Sequence, residues 1–423
     1  MNRPPAPGAD GPAADETPAP GPGAGVTPLT EPAGGLPTVI TRPDELEKVI
    51  DAFGRGTGPV AADAERASGY RYGQATYLVQ LKRAGAGIAL IDPVALPDLT
   101  ALGDAIGDAE YVLHAASQDL PGLTEHGLRP ARVFDTELAA RLLGLERVGL
   151  AAVVAETLGL GLAKEHSAVD WSTRPLPEDW LRYAALDVEV LTEVRDVLAA
   201  RLEAAGKADW AAQEFEAVRN APPPPPRVDP WRRTSGMHVL RNARQLAVVR
   251  ALWEARDATA RARDISPGRV LPDRALVAAA RAMPRTAGQL VALPEFAGKG
   301  TRRRAAYWQR AIDEARALPD AELPSVRGPR TDAPPAPRLW GDRDPLAARR
   351  LKAARDLVAD VADRLTVPVE NLLQPDALRR LCWAPPEPAD AVAVAGFLRE
   401  RRAREWQIEL LAGPLADVLA EVR

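Results

Sequence analysis

The stretch Val60-Ala61-Ala62-Asp63-Ala64-Glu65 is an apolar run that ends in two carboxylates. Gly56, Gly58 and Pro59 precede it and no polar residue alternates within it, which is typical of a central strand covered on both faces. Residues two apart on a strand point to the same side, so Asp63 and Glu65 predict paired carboxylates at a strand end. Such a pair is costly to desolvate unless a divalent cation binds it. For this pair alone a solvated strand end is the simpler interpretation, and only further acids at the same place favour a metal site.

Charge is distributed unevenly along the 423 residues, whose formal net charge is −4. Residues 227–312 carry 18 Lys and Arg against 6 Asp and Glu, a net of +12, and the rest of the chain is acidic. A basic block inside an acidic chain predicts a polyanion-binding module beside an acidic, metal-dependent one. The single cysteine, Cys382, excludes an intramolecular disulfide and a cysteine-based zinc site. The four histidines are scattered, with no zinc-like spacing.

The first residues show no basic segment followed by an apolar one, so no secretory signal is visible. No apolar run reaches the roughly 18 residues of a membrane span, so we expect no membrane partner. The expected location is therefore the cytoplasm. No protein partner can be inferred from the sequence.

Composition and periodicity divide the chain into six predicted segments: a disordered tail (1–36), an α/β domain (37–219), a polyproline linker (220–230), a helical module (231–318), a Pro-rich linker (319–344) and a second helical module (345–423). The α/β domain is predicted to hold a mixed sheet with flanking helices, because strands alternate with helical patterns. Three early strands in close succession predict an antiparallel meander, and a long helix is predicted from about residue 177 to 205.

The second helical module is interpreted as a repeat of the first. Residues 251–257 align with 350–356 and residues 265–271 with 367–373, which requires a three-residue insertion between the two matches. Chance similarity between Ala-, Leu- and Arg-rich helices is the alternative. Residues 345–423 hold 12 basic and 12 acidic side chains, so the first module is the better candidate for binding nucleic acid. The second is expected to pack against its neighbours.

Three further residues lie where an acidic site would need them. Asp119 follows a predicted strand, in the first turn of a helix that we expect Ser117 to cap, and taken alone it is explained by the helix dipole. Tyr183 and Asp187 are four residues apart on the predicted long helix and so share a face. Asp187 stands among apolar residues, and an acid that faces a core needs a partner or a site. Asp135 could join the site, but a helix N-cap is the simpler interpretation.

The order Asp-x-Glu, Asp, Tyr-x-x-x-Asp along one α/β domain resembles the DEDD exonuclease superfamily, in the branch with tyrosine in its third motif. Within that branch the match is closest to the ribonuclease D family. The residues that frame the acids agree with it: Tyr77-Leu-Val-Gln-Leu81, Leu90-Ile-Asp-Pro93, Asp135-Thr136, Asp170-Trp171 and Arg174-Pro-Leu176. The helical module from Trp231 to Leu293 resembles the helicase-and-RNase-D C-terminal (HRDC) domain. The resemblance implies an α/β RNase H-like exonuclease domain followed by two all-α HRDC-like modules.

The resemblance also implies a 3′→5′ exoribonuclease that uses two divalent ions, Mg²⁺ or Mn²⁺, and releases nucleoside 5′-monophosphates. Asp63 would bridge the ions, Glu65 and Asp187 would hold the ion that activates water, and Asp119 would support the second ion. Tyr183 would orient the attacking water through its hydroxyl. The implied substrate is RNA with single-stranded 3′ ends, such as tRNA precursors. A single-stranded DNA exonuclease and a non-catalytic nucleic-acid-binding scaffold are the alternatives.

The remaining candidates have competing interpretations. Lys164 and Arg174 could contact substrate phosphates, but a surface lysine and a structural arginine are the alternatives. Trp231 and Trp308 could stack on bases, although core packing is the simpler interpretation. Arg66 departs from the apolar or aromatic residue that the family usually has there. This departure puts the details of substrate positioning in question, but not the metal ligands.

Overall fold

The computed structural model describes residues 25–162, 168–327 and 332–422. Its strands are β1 (Thr27–Leu29), β2 (Val39–Ile40), β3 (Thr57–Arg66), β4 (Thr76–Ala84), β5 (Gly87–Ile91), β6 (Glu110–Leu113), β7 (Arg132–Asp135) and β8 (Leu160–Leu162). The helices that accompany them are α1 (Pro43–Arg55), α2 (Thr100–Ile106), α3 (Leu120–Glu125), α4 (Thr136–Leu142), α5 (Leu150–Leu158), α6 (Glu178–Glu189), α7 (Leu191–Ala204) and α8 (Ala208–Arg219). The predicted α/β domain with a mixed sheet is confirmed.

The six-stranded sheet has the order β2-β5-β4-β3-β6-β7. Strands β3, β4 and β5 form the predicted antiparallel meander, while β6 and β7 join in parallel on the other side of β3. Val60 and Ala62 pack into the core on one face of β3 and Ala61 into the core on the other, which confirms the doubly covered central strand. By alternation, Asp63 and Glu65 share the face of Ala61, where α6 and α7 pack.

Two predicted helix boundaries are wrong. The helix predicted from residue 177 to 205 is broken at Val190, whose φ and ψ are −116° and 6°, so α6 and α7 are separate helices. The carbonyl of Glu189, at the end of α6, has no partner within the helix. Lys82 donates a hydrogen bond to it instead. Helix α3 has Asp119, rather than Ser117, at its N-cap position. The second difference matters for the site, because an acid at an N-cap position can be explained by helix capping as well as by a catalytic role.

The predicted disorder of the first 36 residues is wrong for residues 25–36. Strand β1 pairs in parallel with β8, with Thr27 opposite Leu160. Glu31 then forms an ion pair with Arg182 on α6 at 2.7 Å. Neither contact leaves a periodic pattern in a Pro- and Gly-rich segment, because both partners are distant in sequence. Composition alone therefore could not indicate this order.

The described residues beyond β8 form helices and no strand. The first helical module contains α9 (Ala243–Arg263), α10 (Pro267–Val270), α11 (Asp273–Ala282), α12 (Ala287–Val291), α13 (Lys299–Arg303) and α14 (Ala305–Ala317). The second contains α15 (Trp340–Arg343), α16 (Pro345–Leu365), α17 (Val369–Leu372), α18 (Pro375–Trp383), α19 (Ala391–Glu400) and α20 (Glu405–Glu421). Within the described ranges, no helix is long and apolar enough to cross a bilayer.

The two modules correspond at one constant offset over their first helices. Helices α9 and α16 follow capping side chains, Asn242 and Asp344, and end before residues in the left-handed conformation, Asp264 (φ 48°) and Thr366 (φ 52°). Each of these pairs is 102 residues apart, as are the starts of α10 and α17 and of α11 and α18. The alignment of residues 251–257 with 350–356 is therefore wrong, and no insertion is needed. The shared helix order and caps support the repeat itself.

The two modules pack differently. The first has a core of its own, in which Trp231 and Trp308 are buried, so core packing is the correct interpretation of both tryptophans. The second shares a core with α4, α5, α7 and α8. Trp406 stacks on Trp210 of α8 with ring centroids 4.7 Å apart and donates a hydrogen bond to the buried Glu214 at 3.0 Å. The second module therefore packs against the α/β domain, as expected.

Candidate active site

The carboxyl end of β3 carries the first two acids of the site. Asp63 and Glu65 alternate with the buried Ala64 and so project from the same face, against which α6 packs. One carboxylate oxygen each from Asp63, Glu65 and Asp187 lie within 4.8 Å of one another. The structure thus brings together three of the predicted site residues, from two elements that are distant in sequence.

Helix α6 brings Asp187 and Tyr183 to this face of the sheet. Ala184 and Ala185 are fully buried beside them, so the helix lies closely against the strands. The Tyr183 hydroxyl donates a hydrogen bond to Asp187. The Tyr183 ring lies 6.4 Å from that of the buried Trp171, measured between centroids. The four-residue spacing therefore places a hydroxyl next to the acid cluster, with its ring packed against another aromatic side chain.

Asp119 approaches the same place from the neighbouring strand. Strand β6 runs parallel to β3, and the carboxyl ends of parallel neighbours meet at one edge of a sheet. Asp119 is 4% exposed and makes no side-chain hydrogen bond to the start of α3, so helix capping does not explain it. Its carboxylate instead accepts a hydrogen bond from Arg66 at 2.9 Å, and the same nitrogen of Arg66 donates to the carbonyl of Gln118 at 2.7 Å. Arg66 is thus part of the site.

Burial raises the pKa values of all four acids, and repulsion between the carboxylates adds to it for Glu65, Asp119 and Asp187. Desolvation is the main cause for Asp63, Glu65, Asp119 and Asp187. For Asp119 it raises the pKa to about 8, against the pull of Arg66 in the other direction. The negative charge of Asp63 further raises the pKa values of the other three acids, and the charges of Asp187 and Asp119 also raise that of Glu65, so the four carboxylates act on one another. A bound cation would relieve this repulsion.

The donor set suits a hard divalent cation. Within the described ranges, the ligand group at this site consists of carboxylates only, with no cysteine or histidine. Oxygen ligands are those that Mg²⁺ and Mn²⁺ take. Gln80, directly opposite Asp63 on β4, is fully buried, and its amide has no hydrogen-bond partner in the described structure. A buried amide of this kind needs ordered water or a ligand network nearby. The residues present therefore fit a divalent metal centre.

We predict that Asp119→Asn raises the melting temperature at pH 8.5 in EDTA by at least about 3 °C. The folded state raises the pKa of Asp119 from its ordinary value near 4 to about 8. A raised carboxyl pKa stabilises the fold below about pH 4 and loses that stabilisation as the pH rises to about 8. Asparagine carries no charge and escapes this loss. Thermal unfolding across this pH range measures the difference, which should vanish near pH 4.

Divalent metal is the control for this prediction. Saturating Mn²⁺ should stabilise the unmodified chain more than Asp119→Asn, because the variant has lost a carboxylate ligand. A variant that is less stable than the unmodified chain at pH 8.5 in EDTA would show that the Arg66–Asp119 ion pair outweighs the cost of burying the charge.

Arg174 has a structural role, because its guanidinium is fully engaged within the protein. It donates to both carboxylate oxygens of Asp92 at 2.7 and 2.8 Å and to the carbonyls of Tyr77, Trp171 and Thr173, each at 2.8 Å. These bonds use all five N–H groups of a guanidinium. No donor remains for a phosphate, so the geometry favours the structural arginine over the substrate contact.

Lys164 and Asp135 are the two remaining candidates for the site. Lys164 lies outside the described residues. Asp135 caps α4 by accepting hydrogen bonds from the amides of Glu137 and Leu138 at 2.9 and 3.1 Å, which confirms the N-cap interpretation. Its carboxylate is thereby committed to backbone donors and stands apart from the three-acid group.

Three family models match successive parts of the chain. Residues 37–203 match the 3′-5′ exonuclease domain, residues 245–312 match the HRDC domain, and residues 333–419 match the 3′ to 5′ exonuclease C-terminal domain. The first contains every acid of the cluster, and the other two lie in the helical modules. The exonuclease and HRDC matches agree with the resemblance seen in the sequence, whereas the second helical module matches a model other than that of the HRDC domain.

Proteins of similar sequence and structure also point to an exonuclease with helical modules. Ribonuclease D of Granulibacter bethesdensis is 32% identical over 347 residues, which are 79% of this chain and 85% of that protein. Ribonuclease D of Escherichia coli is 30% identical over 90% of this chain and 98% of its own length, and its crystal structure matches with a TM-score of 0.65 at 28% identity. A crystal structure of a protein from Bifidobacterium adolescentis matches with a TM-score of 0.86 at 40% identity, covering 93% of this chain and 100% of that one. The chain therefore belongs to the ribonuclease D family.

Proposed function

We propose that this chain is a 3′→5′ exoribonuclease that removes nucleoside 5′-monophosphates from RNA with two divalent ions, Mg²⁺ or Mn²⁺. The observation that carries the proposal is the group formed by Asp63, Glu65 and Asp187, with Asp119 beside it. The E. coli relative is described as an exoribonuclease involved in structured RNA processing, which supports RNA as the substrate. We propose single-stranded 3′ ends, those of tRNA precursors in particular, as the place of action.

The position of each acid suggests its role toward the ions. The resemblance assigns Asp63 to both ions, and its charge raises the pKa values of the other three acids, which supports this role. Glu65 and Asp187 would hold one ion and Asp119 the other. When bound, the ions would lower the pKa of the attacking water and stabilise the leaving oxygen. The Tyr183 hydroxyl, whose pKa is raised by burial, remains a proton donor that can fix the orientation of a water.

The domain boundaries are part of this proposal. We assign catalysis to residues 37–219, RNA holding to the basic module at residues 231–318, and a supporting role to residues 345–423, with linkers between them. In the described part of the basic module, several exposed arginines form no ion pair with an acidic side chain: Arg263, Arg274, Arg281, Arg302 and Arg303. Such side chains are free to contact phosphates, and binding through them weakens as salt rises.

Digestion of matched 5′-labelled RNA and DNA tests the proposal. With Mg²⁺ or Mn²⁺ we expect a ladder that shortens from the 3′ end of the RNA, and no ladder in EDTA or with Asp187→Ala. Asp51→Ala, an exposed acid on α1, is the matched control and should retain full activity. A tRNA precursor with a 3′ trailer should be shortened until the paired stem is reached.

Each contrary result has its own meaning. Equal or faster degradation of DNA would contradict the choice of RNA and favour the DNA exonuclease. RNA binding without turnover under either metal would contradict an enzyme and favour a scaffold. Activity that survives in Asp187→Ala would move the metal centre away from the acid cluster.

A further inference from the structure

The loop at residues 66–74 comprises Arg66, the last residue of β3, and the connection that follows it. Its sequence, Arg-Ala-Ser-Gly-Tyr-Arg-Tyr-Gly-Gln, contains two glycines in the positive-φ region, Gly69 (86°) and Gly73 (85°). The amides of Tyr70 and Arg71 both donate to the carbonyl of Ala67 at 3.0 Å. Because these bonds are internal, the loop has a defined shape of its own.

The first residue of the loop contacts the acidic site. Arg66 pairs with Asp119 at 2.9 Å and also donates to the carbonyl of Gln118 at 2.7 Å. Its side chain is 20% exposed, so this end of the loop lies within the wall of the site. A part of the protein that binds to the rest of the loop is therefore kept close to the catalytic acids.

The middle of the loop contacts the first helical module through its backbone. The carbonyl of Tyr70 accepts a hydrogen bond from the amide of Ser266 at 2.9 Å. The carbonyl of Gly69 accepts one from the Arg269 side chain at 2.8 Å, and the guanidinium lies 4.1 Å from the centroid of the Tyr70 ring. Backbone bonds of this kind fix the position of a loop more strictly than contacts between two long side chains.

Tyr72 makes the second set of contacts, at the end of α9. Its hydroxyl donates to Asp257 at 3.1 Å and accepts from Arg261 at 3.1 Å, while its amide donates to Asp264 at 3.2 Å. The Arg261 guanidinium lies 5.5 Å from the ring centroid. Arg71 adds an ion pair with Asp264 at 3.6 Å. Tyr72 thus binds three residues of the module, Asp257 and Arg261 through its hydroxyl and Asp264 through its backbone amide.

The module does not need this contact in order to fold. Its core, with Trp231, Leu252, Leu276 and Trp308, is closed within the module itself. Among the described residues, the interface with the loop consists of hydrogen bonds, an ion pair and cation–π contacts, and no loop residue joins the core of the module. The contacts therefore determine where the module lies rather than whether it folds.

We propose that the loop at residues 66–74 is an intramolecular docking clasp, which holds the basic helical module at a fixed position beside the catalytic acids. The loop thereby fixes the distance between the catalytic acids, which bind the 3′ end of the RNA, and the unpaired arginines of the module, which contact the RNA further along. RNA that spans both elements gains the affinity of two linked contacts, whereas RNA that reaches only the acids does not. The dependence on RNA length rests on the proposed function, but the docking does not.

Tyr72→Ala tests the clasp without changing the charge of the protein. We expect its Kd for a 5′-fluorescein RNA of about 30 nucleotides, measured by anisotropy in EDTA, to rise about tenfold. The Kd for an RNA of about six nucleotides should change less than about twofold, since this RNA cannot span both elements. Arg269→Ala should act in the same direction. Arg343→Ala, an exposed arginine of the second module, is its charge-matched control and should leave both values unchanged.

Hydrogen exchange of the amides provides the measurement that does not depend on RNA. The amides of Ser266 and Tyr72 are donated across the interface, so Tyr72→Ala should speed exchange in peptides covering residues 66–74 and 264–270. Unchanged exchange would overturn the docking. Faster exchange with an unchanged Kd for the long RNA, or an equal loss for both RNAs, would overturn the role in RNA binding. Absence of hydrolysis by the unmodified chain would overturn the proposed function alone, because neither measurement requires turnover.

Discussion

Asp63→Asn is expected to lower kcat/KM for RNA by about 10⁴-fold, because it removes the acid that is proposed to bind both ions and whose charge acts on the other three acids. Asparagine keeps the size of the side chain but cannot supply a negative charge shared between two ions. Steady-state hydrolysis of a labelled RNA with Mn²⁺ measures the loss. Calorimetric titration of Mn²⁺ should show that the number of bound ions falls from two to one or none.

The loss must be separated from unfolding and from failure to bind RNA. Removing a buried charge that raises the pKa values of its neighbours relieves repulsion, so we expect the melting temperature in EDTA to rise or stay unchanged. The Kd for long RNA in EDTA should stay within about twofold, since the basic module supplies most of that affinity. Asp51→Asn, on the exposed side of α1, is the matched control and should behave as the unmodified chain. Retention of more than about a tenth of the activity by Asp63→Asn would contradict a bridging role.

Except for Asp119, the site residues could be predicted from sequence because each stands at a place where local structure fixes its direction. Asp63 and Glu65 follow from strand alternation, and Tyr183 and Asp187 from the spacing on a helix. Asp119 is assigned to the site only by the resemblance, because a position just past a strand does not distinguish a metal ligand from an acid in the first turn of a helix. The structure places Asp119 at the N-cap position of α3 but pairs its side chain with Arg66 and not with the helix amides, which no pattern in the sequence indicates.

Contacts between distant segments could not be predicted. The Arg66–Asp119 pair, the β1–β8 pairing and the contact of Tyr72 with α9 each join parts of the chain that no periodic pattern links. Of the 66–74 loop, only Arg66 stands out in the sequence, as a departure from the family, because a content of Gly, Tyr and Arg is equally compatible with an exposed loop. The helix break at Val190 was missed for the opposite reason, since an apolar residue in a helical pattern gives no signal of a break.

Tyr183→Phe is expected to lower kcat about 100-fold while KM changes less than about threefold. Phenylalanine keeps the ring that packs near Trp171 and loses only the hydroxyl that donates to Asp187. The number of bound Mn²⁺ ions should therefore stay at two, in contrast to Asp63→Asn. Single-turnover hydrolysis separates the chemical step from binding. Tyr111→Phe, a buried tyrosine of β6 outside the acid cluster, is the matched control and should retain activity within about twofold.

The pH dependence distinguishes how the Tyr183 hydroxyl acts. Burial and the charges of Asp187, Glu65 and Asp63 raise its pKa, so the hydroxyl stays protonated throughout the working range. It can donate a hydrogen bond to a water but cannot serve as the base that deprotonates it. The pH profile of Tyr183→Phe should therefore run parallel to that of the unmodified chain at a lower level. A profile that loses a limb in the variant would assign proton transfer to Tyr183. A rise in KM with unchanged kcat would make it a contact for the RNA, because only groups that act in the transition state lower kcat by themselves.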